Sequence, residues 1–217
     1  MGKTKELIET KGLLNIVFKD SVTGENGIMD SGGNQVVGEI KNKGSASLAV
    51  SSFFFRELQS NGIPTHFLGE NNGSMIALKA NPFPLEFICR LYACGSFLKR
   101  YGGLVKEMEQ LPYLVEISIK DDKRKDPFIS EDTILALGLM SQKELSEAKY
   151  LTLEVTETVE KMLKRKEIKL IDIKLEFGKV DGDLILIDEV SGDTMRVERN
   201  GTLLSQMELY KALVGKE

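Results

Sequence analysis

The chain has 217 residues, is 41% hydrophobic and carries a formal charge of −4, which suits one large domain or two small lobes with a sizeable core and excludes a disordered polypeptide. Neither a basic field for nonspecific nucleic-acid binding nor a long Lys/Arg run for a membrane surface is present, so an anionic ligand must be held by local positive groups. No apolar stretch reaches bilayer length and no signal-peptide pattern leads the chain, which predicts a soluble cytoplasmic protein without a membrane or nucleic-acid partner.

From the start, Gly2-Lys3-Thr4-Lys5 has the look of a Walker A ending, but the first glycine of that motif would fall before Met1. What remains is close backbone approach at Gly2 and positive charge at Lys3 and Lys5, suited to a phosphate, against a frayed basic terminus. Leu13 to Lys19 reads as a strand, and the Gly- and Asn-rich segment Ser21 to Gln35 as a loop or flap. Ser45 to Gln59 has helical character, with Leu48, Phe55 and Leu58 as core contacts and Gly62 as a stop. Thr65 to Leu68 and Ser74 to Lys79 form a hairpin around Asn71-Asn72-Gly73. His66 is the single histidine, so no metal site or triad can rest on clustered histidines, and it reads as structural.

Asn81-Pro82-Phe83-Pro84 predicts a stiff connection rather than a central strand, and a lobe boundary is placed there, giving 1–81 and 82–217. Leu85 to Tyr92 then resumes as a strand, with Glu86 and Arg90 on one face by the two-residue period. Arg90, Ser96, Lys99 and Arg100 have the chemistry to converge on a phosphate, or equally to form ordinary ion pairs. Cys89 and Cys94 lack zinc spacing and read as packing groups. Glu116 to Lys120 is a strand, Asp121 to Pro127 a charged loop, and Ser141 to Glu144 a capping box. That box opens an amphipathic helix through Leu145, Ala148, Leu151, Val155, Val159 and Met162. Ser205 to Val214 closes the chain as a helix.

Ile171 to Arg196 holds the densest chemistry. The runs Ile171 to Phe177 and Leu184 to Ile187 flank an Asp181-Gly182 turn signal. A two-residue loop would set Asp188 beside Leu175 and Glu176 beside Ile187, mixing charge with aliphatic side chains on both faces. A three-residue loop, Val180-Asp181-Gly182, with Gly182 as a left-handed bulge, separates the faces and is the predicted register. It places Lys174 opposite Asp188 and Glu176 diagonally beside it. Two carboxylates so held suit Mg²⁺, which takes one or two of them and fills its remaining positions with water and phosphate oxygens. The competing reading is a solvated face carrying a cross-strand salt bridge.

GKTKE at Gly2 to Glu6, KNKGSAS around Lys43, GIPTHF at Gly62 to Phe67, PLEFICRLYACGSFLKRYG at Pro84 to Gly102, the Asp126-Pro127 pair, IDIKLEFG and LIDEVSGDTMR run in an order that resembles the phosphoribosylaminoimidazole-succinocarboxamide synthase, or SAICAR synthetase, family. The resemblance covers nearly the whole chain. It implies a two-lobed α+β fold, kinase- or ATP-grasp-like, with antiparallel sheets and ATP in the cleft between an N-terminal β-rich lobe and a larger C-terminal lobe. It also implies a ligase of purine biosynthesis that joins L-aspartate to the carboxylated aminoimidazole ribonucleotide CAIR, giving SAICAR, ADP and phosphate through an acyl phosphate, with ATP and Mg²⁺ required. A small-molecule kinase of similar architecture and a nucleotide-binding regulatory module are the alternatives, and a homodimer is compatible with either lobe exposing an apolar edge.

Carried over by resemblance, Lys174 faces the reacting groups and Asp172 orients it, receives a proton or forms a structural salt bridge. Gly2, Lys3, Lys5, Lys79, Glu176 and Asp188 belong to the ATP side, with Glu176 and Asp188 as metal ligands. Arg90, Ser96, Lys99 and Arg196 match positions for CAIR and its 5′-phosphate, while Lys120 and Asp126 fall in a loop assigned to the substrate side. Three departures stand out: only Met1 precedes Gly2, Val197-Glu198 replaces an expected Trp-Asp, and Pro82, at the adenine-facing linker, has no N–H to offer.

Overall fold

A computed structural model describes residues 2–25, 27–30, 33 and 35–215. In chain order its elements are β1 (Lys5–Thr10), β2 (Leu13–Phe18), β3 (Ser21–Glu25), β4 (Ile28–Met29), β5 (Gln35–Glu39), α1 (Lys43–Ser60), β6 (Phe67–Asn71), β7 (Ser74–Leu78), β8 (Asn81–Tyr92), α2 (Ser96–Tyr101), β9 (Gln110–Ile119), α3 (Glu131–Ala136), α4 (Gln142–Lys164), β10 (Lys169–Val180), β11 (Asp183–Ile187), β12 (Met195–Arg199), β13 (Thr202–Leu203) and α5 (Gln206–Leu213). All strand pairs between these elements are antiparallel. They form a four-stranded sheet β1-β2-β7-β6, a small sheet β4-β3-β5, and a large sheet β13-β12-β10-β8-β9 with β11 also on β10. None of the described helices is long and apolar enough to cross a membrane.

The predicted flap is therefore built mostly as a sheet in its described part, since Ser21–Glu25 pairs with both Ile28–Met29 and Gln35–Glu39. Asn81-Pro82-Phe83-Pro84 also differs from expectation, because it is the first part of β8. The prolines are tolerated there because β9 joins only from Leu85 onward, so β8 has a ladder partner on one side at that end.

Helix α4 starts where the capping box places it: the Ser141 hydroxyl accepts from the Glu144 N–H, and the Glu144 carboxylate accepts from the Ser141 N–H. Its stripe Leu145, Ala148, Leu151, Val155, Val159 and Met162 is buried and packs on β8 and β10, each large side chain contributing about 2 kcal/mol. On that side of the sheet Phe87 meets Phe177 edge to face at 5.3 Å. The opposite side is left for polar residues.

The β10–β11 register corrects the sequence reading. Val180 pairs with Asp183 and Glu176 with Ile187, so Asp181-Gly182 alone makes the loop, with φ of 52° and 97° as a two-residue primed turn requires. Segregation of faces does not set this register, because β10 has β8 along one edge and β12 and β11 along the other, and every residue from Leu170 to Gly178 except Lys174 is buried whichever way its side chain points. A strand covered on both faces has no solvated side to set its register.

Candidate active site

Across the face of the large sheet away from α4, the ladder aligns polar side chains in rows. Arg90 of β8 is opposite Asp172 of β10, which is opposite Arg196 of β12; two residues along, Ile88 faces Lys174; two further, Ser118 of β9, Glu86 and Glu176 line up. The two-residue period of each strand generates this array. Asp172 sits between two guanidinium groups, 3.0 Å from Arg90 and 2.6 Å from Arg196, and Arg90 also donates to the Ser96 hydroxyl at 3.1 Å. Gly95 lets Arg196 pass close by: its φ is +54° and a Cβ there would stand 2.7 Å from the Arg196 Nη2.

Two adjoining cavities open over this face. One is lined by Arg90, Ser96, Arg196, Asp172, Asp126 and Phe128, among others. The second is lined by Gly2, Lys3, Lys5, Lys120, Glu176, Asp188, Glu189 and Asp193, among others. Lys174, Glu86, Asp126, Thr194 and Gly33 line both. Lys174 donates to Glu86 at 2.7 Å. Burial works against its charge, but the carboxylates of Glu86, Glu176 and Asp188 outweigh that effect and hold the ammonium above the ordinary lysine range. An anion in either cavity therefore meets a fixed positive charge at the junction.

Asp188 follows the last residue of β11 and has φ of 68°. This left-handed step interrupts the strand alternation and brings its carboxylate into the cavity that Glu176 lines. The ring of His66 supports the turn, with Nε2–H donating to the Asp188 carbonyl at 3.0 Å; burial lowers its pKa to about 4, so the ring is neutral. Lys5 binds Asp188 and Glu189, both at 2.6 Å, and Lys120 binds both oxygens of Glu176 at 2.6 Å. Burial and the neighbouring Asp188 charge push the Glu176 carboxyl upward, whereas Lys5, Lys120 and Lys174 overcome burial and hold Asp188 well below the carboxylate range.

Among the described residues no group of three or more His, Cys, Asp or Glu is preassembled for a metal. Two neighbouring carboxylates, one strained by the other's charge and both held by movable ammonium groups, do fit a cation that takes one or two protein oxygens.

The predicted residues divide by location. Gly2, Lys3, Lys5, Lys174, Glu176 and Asp188 come together at the second cavity, and Arg90, Ser96 and Arg196 at the first; Asp126 lines both. In the corrected register Lys174 has no ladder partner in β11, whose pairing with β10 ends at Glu176 and Ile187, and its backbone N–H donates to the Thr194 carbonyl instead. Lys120, expected on the substrate side, lies against Glu176. Asp172 contacts the arginines where orientation of Lys174 was one of its expected roles. Lys79 pairs with Glu9 at 2.7 Å and Lys99 with Glu25, both half exposed or more and outside the two cavities. Arg100 turns to Glu116 instead of joining Arg90 at an anion.

Glu86, Asp30, Glu189, Asp193 and Thr194 were missed as site residues. Glu86 carried a signal, its shared face with Arg90. Lys43, fully buried at the start of α1, pairs with Asp193 and so joins the KNKGSAS segment to the VSGDTMR segment.

A cleft that gathers cations for several anions, beside a carboxylate pair able to hold a divalent cation, defines an enzyme acting on phosphorylated small molecules. The SAICAR synthetase family model matches residues 1–211. A phosphoribosylaminoimidazole-succinocarboxamide synthase of Clostridium tetani is 42% identical, over 98% of this chain and 97% of its own length, and that of Aquifex aeolicus is 38% identical over 90% and 89%. A SAICAR synthetase (Type-2) solved in complex with ADP superposes with a TM-score of 0.90 at 32% identity, over 100% of this chain and 97% of its own. The Pyrococcus horikoshii OT3 SAICAR synthetase gives 0.87 at 31%, over 98% of each chain. The chain belongs to the SAICAR synthetase family.

Proposed function

We propose that this chain is an ATP-dependent ligase of purine biosynthesis that joins L-aspartate to CAIR, yielding SAICAR, ADP and phosphate. The observation that carries the reading is the position of Lys174, at the junction of an arginine-lined cavity and a cavity bearing Lys3, Lys5 and the Glu176–Asp188 pair.

A carboxylate does not acylate an amine unaided, because oxide is a poor leaving group. The CAIR carboxylate oxygen attacks the γ-phosphorus of ATP, the bond to the bridging oxygen breaks, and ADP leaves with that electron pair. The aspartate amine then attacks the acyl carbon, phosphate departs, and the nitrogen loses a proton. Arg90, Ser96 and Arg196 would hold the CAIR 5′-phosphate, with Asp172 fixing both guanidinium groups. Lys174 would offset charge on the phosphoryl group as it passes between cavities. Gly2, Lys3 and Lys5 would cover the ATP phosphates. Glu176 and Asp188 would hold Mg²⁺, which would supply positive charge to offset that of the phosphates; Lys120 would give up Glu176 to it.

Residues 1–81, with the β1-β2-β7-β6 sheet, would serve as the ATP lobe and 82–217 as the lobe carrying metal and CAIR sites. The test is phosphate release by purified protein, which requires ATP, Mg²⁺, CAIR and aspartate together. ADP formation without aspartate would identify a kinase instead.

A further inference from the structure

The mechanism above leaves Glu116 unused, although it is mostly buried between two arginines. It lines neither of the two cavities described; an outer groove with Tyr101, Phe128 and Glu131 lies on its other side. Its carboxylate accepts from the Arg90 Nε at 2.5 Å and, through both oxygens, from the Arg100 Nη2 at 2.6 and 2.7 Å. Arg100 is itself fixed, its guanidinium 3.6 Å from the centroid of the Phe128 ring. Arg90 thus has one partner on each nitrogen: Glu116 at Nε, Asp172 at Nη1 and Ser96 at Nη2. The remaining Nη hydrogens are the ones left for the cavity.

We propose that Glu116 is a positioning residue for the anionic substrate, locking the Arg90 fork from behind while Arg100 and the Phe128 ring hold Glu116. This rests on the reading of the arginine-lined cavity as the phosphate-ester site. A guanidinium plane is defined by three nitrogens, and removing the Nε contact leaves Arg90 free to turn about the Asp172–Ser96 side. The bidentate geometry toward a phosphate is then lost while its charge remains. Arg100 alone would not substitute, since it stands beyond Glu116 from the cavity.

The experiment measures steady-state kinetics of Glu116→Ala and Glu116→Gln, together with calorimetric binding of ribose 5-phosphate. Glu116→Ala is expected to raise the KM for CAIR and the Kd for ribose 5-phosphate by roughly tenfold, the loss of about one charge-assisted hydrogen bond. The values of kcat and of the KM for ATP should stay within about twofold. Glu116→Gln keeps an acceptor for Arg90 and a similar shape, so it should fold as the parent does and fall between the two. An unchanged Kd and KM for CAIR, or a parallel drop in kcat and in affinity for both substrates, overturns the positioning role while the ligase reading survives through the parent's turnover. A parent that turns over no CAIR and binds no ribose 5-phosphate overturns both.

Discussion

Lys5 reaches Asp188 across 183 positions of chain, with 2.6 Å between nitrogen and oxygen, and the same ammonium binds Glu189 at 2.6 Å. The first strand is thereby fastened to the far end of the β10–β11 hairpin through the cavity itself. Replacing Lys5 by Met strips the buried Glu189 and the part-buried Asp188 of the ammonium that bonds both, a loss of about 3 kcal/mol by analogy with broken buried pairs. Urea unfolding should register that loss, and added Mg²⁺ should recover part of it by supplying charge at the same carboxylates. An equal deficit with and without Mg²⁺ would separate Lys5 from the cation site.

Glu176→Gln and Asp188→Asn each remove one charge with little change of shape. Turnover should fall by about a thousandfold or more, since a divalent cation is worth several kcal/mol in such transfers, while circular dichroism and the melting profile stay near those of the parent. Normal rates at ordinary Mg²⁺ in either variant would remove that residue from the metal site.

Arg196→Ala should act on CAIR, raising its KM by roughly tenfold or more through loss of a charge-assisted contact. Asp30→Asn should move the same constant downward. Asp30 engages the Nε and Nη2 of Arg196 at 3.2 and 2.6 Å, taking up donors that a phosphate would use. Kinetics with CAIR varied at saturating ATP and aspartate distinguish the two directions, and a rise in KM with Asp30→Asn would refute the competition.

Glu144 offers a stability test remote from the chemistry. Lys179 at 2.7 Å, then the Ser141 N–H and hydroxyl, lower its pKa from 4.5 to about 2. A folded-state pKa below the unfolded one gives stability that is present above pH 4.5 and is lost as pH falls toward 2. Glu144→Ala should cost about 1 kcal/mol at pH 7 through the lost cap, with the difference from the parent shrinking by pH 3. Urea midpoints at the two pH values decide it, and a constant difference would contradict the assignment.

Much of the architecture was legible because local signals and tertiary packing agree. The Ser141 box opens the helix expected of it, and the period of Glu86 and Arg90 puts them on one face, where the sheet builds its polar rows. The register of β10 was not legible, because it depends on β8 and β12 covering the strand from both sides, which no feature within the hairpin reveals. Lys120 and Arg100 were displaced by acids 56 and 16 positions away, Glu176 and Glu116, whose proximity arises only on folding. Glu86 escaped notice as a site residue for the same reason: its partner Lys174 is 88 positions distant.

The left-handed backbone at Asp188 narrows what that position accepts. Among L-residues with side chains, Asn and Asp enter that conformation most readily, while longer or branched side chains resist it. A cation site asks for a carboxylate, which Asp and Glu can supply. Aspartate is the one residue that meets both demands, so Asp188→Glu, conservative by charge, should be poorly tolerated at position 188, and Asn is the replacement that tests the charge while sparing the turn.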